Sequence, residues 1–505
     1  MKEKPNILFI IAHDVGRRYG CYGNAQVDTP HIDALAEDSV VFQQHFCHWP
    51  LCGPARANIF SGCRPLTTQR FNNQDFFPTF RERMGEGFAT LPEHFRNNGY
   101  ETAAAGFVFH DVDDPKSWSL GHWRPATSEM LKHQPVVEEN LGFPARLRGQ
   151  WQSPEAIELI RERWQKQVDA GLTEADLDRP HIARRARGPG VEAADVPDEA
   201  YHGGQVAARA VEMIETLPKD KPFFLAAGFI DTHLPFWAPR PYWERYDRNA
   251  LTLPEFRKPP EGSPEWAMGD SEPAQYYTTH GYEEPWRASE AESLELLHGR
   301  CAVLSFFDNL VGKMLTALEK AGHADDTVVV LTSDHGFHDG EHGYWGKHNV
   351  WDMSMRVPLV IRTPKAERQS GRVGGLTEHV DVYPTLCDLA GLPCPEGFLE
   401  GASMASVMET PCDEFKQAVF SHRKHIWHDR IQAYDMANTV RTQRYRLTRY
   451  LDPSGNPIYT ELFDYEKDPE ERRNYAEDPA YAQASAEMEA LLEGGWQEVA
   501  PNPSG

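Results

Sequence analysis

The chain has 505 residues, 40% of them hydrophobic, enough for one large α/β domain with a smaller companion and a sizeable core. Its net charge is −25, with 51 basic against 76 acidic side chains, the reverse of the balance that binds nucleic acid. Eight cysteines in so long a chain are not a disulfide scaffold, and no apolar run reaches the ~18 residues of a membrane span. The run Ile7 to Ala12 is too short for a signal-peptide core and is followed at once by a His-Asp pair. A cytoplasmic protein with no nucleic-acid or membrane partner is therefore expected. A small anionic substrate stays admissible, because a local cluster of cations overrides a distant field.

A first strand spans Asn6 to Ala12, ending in the turn His13-Asp14-Val15-Gly16. Residues 31–40 read as a short helix, and Val40-Val41-Phe42 opens another extended piece. Helical spacing runs from Ala57 to Phe60 and stops at Gly62, and Leu91 to Asn98 is a helix closed by Gly99. Thr102 to Phe109 is strand-like. Residues ~111–200 are rich in Trp, Pro, Arg and Glu and read as an insertion over one face of the core, helical near Glu155 to Val168 and looped from Arg179 to Asp195. Ala207 to Leu217 is an amphipathic helix, and Pro222 to Ile230 is apolar enough for a buried parallel strand. Residues ~237–290 look irregular. Leu294 to Ala321 is a long helix ended by Gly322, followed by strands at Thr327 to Leu331 and Val357 to Ile361.

This alternation predicts an α/β fold: a large mixed, mostly parallel sheet flanked by helices. From ~405 the pattern changes to short strands at Ala418 to Phe420, Met436 to Arg441, Tyr445 to Tyr450 and Thr460 to Asp464, with a closing helix over ~480–494. A smaller C-terminal antiparallel sheet subdomain is expected at 405–505, behind a catalytic domain at 1–404.

Polar clusters follow three apolar strands directly, and in such sheets the site lies at the carboxyl ends of the strands. His13-Asp14 and Asp334-His335 offer hard carboxylates and imidazoles for a divalent cation, although an Asp after a strand also serves as a helix cap. Asp231-Thr232-His233 follows the strand ending near residue 230, and His110 follows the run ending at Phe109; each His is placed to hydrogen-bond a reacting group. Lys347-His348 lies in a loop dense in Gly and His, where Lys347 is a cation for an anionic substrate.

The run Cys52-Gly53-Pro54-Ala55-Arg56 combines a potential nucleophile with a cation four residues on. Pro54 suits a helical first turn, Cys52 then sits near the helix N-terminus, where the dipole favours anionic charge, and Arg56 shares its face. A free loop cysteine beside a surface arginine would read the same way.

In this order the pieces resemble the type I sulfatases of the alkaline-phosphatase-like superfamily. The resemblance runs from Pro5-Asn6-Ile7-Leu8 through Gly20-Cys21-Tyr22-Gly23, Thr29-Pro30-His31-Ile32-Asp33 and the Cys-x-Pro-x-Arg signature. It continues through Ser333-Asp334-His335-Gly336, Gly340-Glu341-His342-Gly343 and Arg356-Val357-Pro358-Leu359 to Glu461-Leu462-Phe463-Asp464. Arg64-Pro65-Leu66-Thr67-Thr68, Val108-Phe109-His110 and Ser117-Trp118-Ser119 are similar to the iduronate-2-sulfatase-like branch.

The resemblance implies that a formylglycine-generating enzyme oxidises Cys52 to formylglycine. One hydroxyl of the hydrated aldehyde attacks the sulfur of a small sulfate ester, and the other then expels sulfate. It further implies Asp14, Asp334, His335 and the modified Cys52 as metal ligands, with His13 a further candidate. Arg56 would hold the formylglycine, Lys347 and His233 the sulfate, and His110 the diol or the leaving group. Ca2+ is the usual ion.

Two positions depart from the family pattern. His13 stands where Asp is usual, and imidazole opens the site to Mn2+ or Zn2+. Phe107 stands where Lys is usual, with Lys116 and the 111–200 insertion as alternative sources of that cation. A phosphonate monoester or phosphodiester hydrolase of the same superfamily is the first alternative, and a non-catalytic binding protein the second. A homo-oligomer is an open alternative to a monomer.

Overall fold

The computed structural model describes residues 4–73, 77–110, 113–125, 142–144, 147, 149–178, 185–269, 271–274, 287–425 and 434–499. Much of the 111–200 insertion, including 126–141 and 179–184, lies outside the described residues, as do 426–433 and the last six.

Sixteen strands are described: β1 (Asn6–Ala12), β2 (Val40–Phe46), β3 (Glu101–Gly106), β4 (His122–Trp123), β5 (Val191–Ala194), β6 (Phe223–Gly228), β7 (Phe236–Pro239), β8 (Thr327–Ser333), β9 (His338–Asp339), β10 (Trp345–Gly346), β11 (Arg356–Arg362), β12 (Gly371–Glu378), β13 (Val419–Lys424), β14 (Met436–Arg441), β15 (Tyr445–Leu451) and β16 (Pro457–Asp464). The main helices are α1 (Pro30–Glu37), α2 (Cys52–Ser61), α3 (Leu91–Asn97), α4 (Pro154–Asp169), α5 (His202–Thr216), α6 (Glu290–Ala321), α7 (Val382–Leu389) and α8 (Ala482–Gly494).

Eight strands form one sheet in the order β12-β2-β11-β8-β1-β6-β3-β4. β1 lies between β8 and β6 and is parallel to both, while β11 alone runs against its neighbours β2 and β8. The side chains of β1 alternate between two cores. Leu8, Ile10 and Ala12 pack on the face carrying α5 and α6, and Ile7, Phe9 and Ile11 on the face carrying α2, α3 and α7. A strand buried on both sides is a near-continuous apolar run, and Ile7 to Ala12 is one. The small sheet β13-β14-β15-β16 is an antiparallel meander, with Met488 of α8 against its Phe420, Val440, Leu447 and Leu462.

Several sequence expectations need correction. The strand expected to reach Phe109 stops at Gly106, which sits at φ 80°. The loop expected over 179–195 contains β5, which pairs in parallel with β7 inside the segment read as irregular. β12 had no sequence signal, because Arg372, Gly374 and Gly375 interrupt its apolar pattern. Helix α6 is long and apolar enough to cross a membrane, so a stretch of that length does exist. Its apolar window is 78% buried inside the protein, as fits a core helix clamped between β1, β6 and the β5-β7 pair.

The small sheet docks on the outer edge of the large one. His422 N donates to His48 O (2.8 Å), Ser421 Oγ to Cys47 O (2.6 Å) and Phe420 N to Glu378 Oε1 (2.9 Å). Under this junction His45, His48 and His379 are fully buried, with the His45 and His379 rings 5.2 Å apart. Burial pushes His45 down to about 3, His48 to about 4, and His379 well below the ordinary histidine range. Their folded-state values lie below those of the unfolded chain, so their stability contribution is intact above pH 6.5 and lost as the pH falls. Three such rings predict a loss on the order of 5 kcal/mol between pH 7 and pH 5. Denaturant titrations at the two pH values measure it, and equal stabilities would show that the rings protonate freely in the fold.

Candidate active site

Helix α2 begins at Cys52, preceded by the extended Leu51, with Ala55 N donating to Leu51 O (3.0 Å) as its first helical bond. Gly53 leaves room for its neighbours: a Cβ would lie 2.8 Å from Asn73 Oδ1 and 3.1 Å from Asn73 Cα, so a side chain here would push the Asn73 segment aside. One turn on, Arg56 is wholly buried. Its Nε donates to Asp334 Oδ2 (2.9 Å), Nη1 to the carbonyls of Phe107 and Val108 (3.0 Å to the latter), and Nη2 to Ala12 O (3.3 Å). One guanidinium thus joins the ends of β8, β3 and β1.

The turn after β1 is equally constrained. Asp14 adopts φ 58°, a left-handed conformation uncommon outside glycine and concentrated at functional sites. Its N–H donates to Asp334 Oδ1 (3.0 Å), and Val15 N donates to Ser333 Oγ (2.9 Å). His110 is a second non-glycine residue at positive φ, 90°.

Five donor atoms meet at this point. One atom each from His13, Asp14, Cys52, Asp334 and His335 lies within 4.8 Å of every other. His335 Nε2 is 3.3 Å from Cys52 Sγ and 3.2 Å from Asp14 Oδ1. His13 Nε2 faces Asp14 Oδ1 at 3.3 Å, while its Nδ1 lies 3.2 Å from both Asp334 Oδ2 and Arg56 Nη2. His13 Nε2 and Asp14 Oδ1 are buried without a hydrogen-bond partner. Two orphaned lone-pair atoms in a set of carboxylate, imidazole and sulfur donors fit a divalent cation.

Electrostatics follow from burial and these neighbours. Burial pushes His13 well below the ordinary histidine range, so the ring is neutral. Burial opposes ionisation of Asp14 and Asp334, but Lys347 and His233 near Asp14, and His335 and Arg56 near Asp334, outweigh it and hold both below the usual carboxylate range. Burial raises Cys52 well above an ordinary thiol, with Asp14 and Asp334 adding to it, against the lowering expected at a helix N-terminus.

The remaining sequence candidates border this cluster. Lys347 Nζ donates to Asp14 Oδ2 (2.6 Å), and His233 Nε2 lies 3.6 Å from that oxygen. The His110 ring is 4.9 Å from Phe107 and 6.4 Å from His13. All nine residues singled out in the sequence therefore converge. Lys116 does not: it is exposed in the short turn Pro115–Ser117. The place of the usual lysine is filled by the Phe107 ring, which packs under Arg56 (4.7 Å) and against His13 (5.2 Å).

Two contributors were missed. Arg300 of α6 donates to Asp14 O (2.5 Å) and Thr232 O (2.7 Å) and pairs with Asp339 (3.1 Å), fixing both turns from behind. A lone arginine inside an apolar helix was the available signal. Glu272 lies 3.2 Å from Lys347 Nζ and 3.3 Å from His348 Nε2. It comes from an irregular segment with no periodic signal.

Fold and site together define the class: the α/β sulfatase fold, with its buried polar cluster at the carboxyl ends of the strands. A sequence profile of the sulfatase family matches residues 5–392, and one of the N-sulphoglucosamine sulphohydrolase C-terminal region matches 340–497. The mouse (Mus musculus) iduronate 2-sulfatase is 30% identical over 441 residues, 77% of this chain and 69% of that protein. N-acetylglucosamine-6-O-sulfatase of Bacteroides thetaiotaomicron is 26% identical, covering 97% and 86%. A protein solved with its substrate D-glucosamine-2-N,6-O-disulfate shares the fold at TM-score 0.71 and 20% identity over the full length of both chains. The phosphonate monoester hydrolase of Agrobacterium radiobacter does so at 0.69 and 24%, covering 97% and 96%. The chain belongs to the sulfatase family and is an enzyme of the sulfuric-ester hydrolase class.

Replacing Arg56 by Met leaves Asp334 and the carbonyls of Phe107, Val108 and Ala12 buried without that donor, at an expected cost of about 3–5 kcal/mol. Urea denaturation of Arg56→Met against the parent measures it, and an unchanged midpoint would contradict the clamp.

Proposed function

We propose that this enzyme hydrolyses the sulfate monoester of a sugar or other small alcohol, using a formylglycine formed from Cys52 and one divalent cation. The observation that carries the reading is the set of five donor atoms within 4.8 Å around residue 52, with Arg56 on the same helix face. His13, Asp14, Asp334, His335 and the modified residue 52 would hold the cation. Bound there, a divalent cation acidifies a neighbouring hydroxyl and neutralises charge on a sulfate oxygen. A hydrated formylglycine supplies the attacking hydroxyl and a second one able to expel sulfate, which a serine lacks.

The chain's own groups do the rest. Arg56 fixes residue 52 relative to Asp334. Lys347 and His233 converge on Asp14 Oδ2 and are placed to take sulfate oxygens. His110 is placed to give a proton to the leaving alcohol. His13 would turn Nε2 toward the cation, while Asp334 Oδ2 and Arg56 Nη2, each 3.2 Å from Nδ1, hold the ring from behind. A formylglycine-generating enzyme is the partner required for maturation. We further propose 1–404 as the catalytic domain and 405–505 as the C-terminal subdomain. A sugar substrate is supported by relatives named for iduronate and N-acetylglucosamine sulfates.

The phosphonate monoester hydrolases among the structural neighbours support a second reading, hydrolysis of a phosphonate monoester. Rates on 4-nitrophenyl sulfate, sulfated monosaccharides and a phenyl phosphonate ester separate the two. The sulfate esters are expected to be turned over faster, and a phosphonate preference of several orders of magnitude would overturn the sulfatase reading. Chelation is expected to abolish activity and remove one equivalent of metal, which elemental analysis identifies as Ca2+, Mn2+ or Zn2+. Full turnover by metal-free protein would exclude the proposed cation.

A further inference from the structure

A buried carboxylate beside the two groups assigned to the sulfate oxygens demands a reason, and Glu272 is one. Only 8% of its side chain is exposed, and Lys347, beside it, is 3% exposed. Its Oε1 lies 3.2 Å from Lys347 Nζ and 3.3 Å from His348 Nε2, and its Oε2 lies 3.9 Å from His233 Nε2. Asp14, His233 and Glu272 present oxygen and nitrogen atoms within 4.8 Å of one another. Glu272 therefore faces the space that Lys347 and His233 face. Its backbone is anchored, with Glu272 N donating to Trp345 O (2.8 Å). Lys347 and His348 hold it well below the usual carboxylate range despite burial, so it carries its charge in the pocket.

We infer that Glu272 is a specificity-determining residue that matches the pocket to a singly charged ester and against a doubly charged one. The inference rests on the sulfate-ester reading. A divalent cation offsets Asp14 and Asp334. Arg56 and Lys347 then remain, and Glu272 cancels one of them, so the cluster around the substrate carries a net charge of one positive. A sulfate monoester carries one negative charge. A phosphate monoester carries two at neutral to alkaline pH, and so does the inorganic sulfate that must leave. Glu272 thus disfavours phosphate monoesters and speeds loss of the dianionic product. Phe107, in the place of a second lysine, lowers the pocket's positive charge in the same direction.

The test compares the metal-loaded parent enzyme with Glu272→Gln and Glu272→Asp at pH 8. The kcat/KM ratio of 4-nitrophenyl phosphate to 4-nitrophenyl sulfate is expected to rise roughly tenfold or more in Glu272→Gln, since removing a charge a few ångströms away acts more strongly on the dianion. Calorimetry is expected to show inorganic sulfate binding that variant tighter by a similar factor. Glu272→Asp keeps the charge and is expected to keep the parental ratio and affinity. Parallel loss of both activities with an unchanged ratio, or an Asp variant that behaves like the Gln variant, would overturn the inference. If the parent enzyme ignores 4-nitrophenyl sulfate but cleaves a phosphonate monoester, the sulfate reading fails by itself. The charge inference is then read from the phosphate-to-phosphonate ratio, because that ester also carries one charge.

Discussion

The pair formed by Arg56 and Asp334 is the contact on which the rest of the site depends. Both side chains are fully buried, where an ion pair survives only if its remaining donors and acceptors are also satisfied. Here they are satisfied by the protein's own strand ends. Arg56 takes carbonyls from β1 and from the residues after β3, while Asp334 takes the Asp14 and His335 N–H groups. The helix that carries Cys52 is thereby locked to the strands that lead to Asp14, Asp334 and His335. Sheet register carries the lock further, since Ala12 pairs with Ser333, so His13 and Asp334 leave the sheet side by side.

The two departures from the family pattern sit in contact with each other. His13 is neutral, and its ring packs against Phe107, whose ring also lies under Arg56. Exchanging an acid and a base for a neutral ring and an apolar one removes one charge of each sign from adjoining positions. The apolar wall strengthens interactions among the charges that remain by excluding water. Glu272 then enters as a buried carboxylate against Lys347.

What the sequence made legible follows from where order is local. β1, β6 and β8 were readable because strands buried on both faces are continuous apolar runs, and the polar residues at their ends stood out against them. The Cys52 helix was readable from Pro54 and the spacing to Arg56. β12 was not, because an edge strand with three glycines and an arginine has no such run. Glu272 was invisible as a site residue and Arg300 offered only a lone charge in an apolar helix, because their roles come from contacts 75 and 286 positions away in the chain, with Lys347 and Asp14. The reading of Cys52 as favoured toward anionic charge by the helix end also gave way, since burial among carboxylates dominates one helix terminus.

A nucleophile made from Cys52 is the central claim, and residue 52 can be examined directly. Mass spectrometry of the peptide containing it, from preparations of differing specific activity, should show an aldehyde in place of the thiol. The modified fraction should rise in proportion to activity. Fully active enzyme with an intact Cys52 thiol would contradict the account.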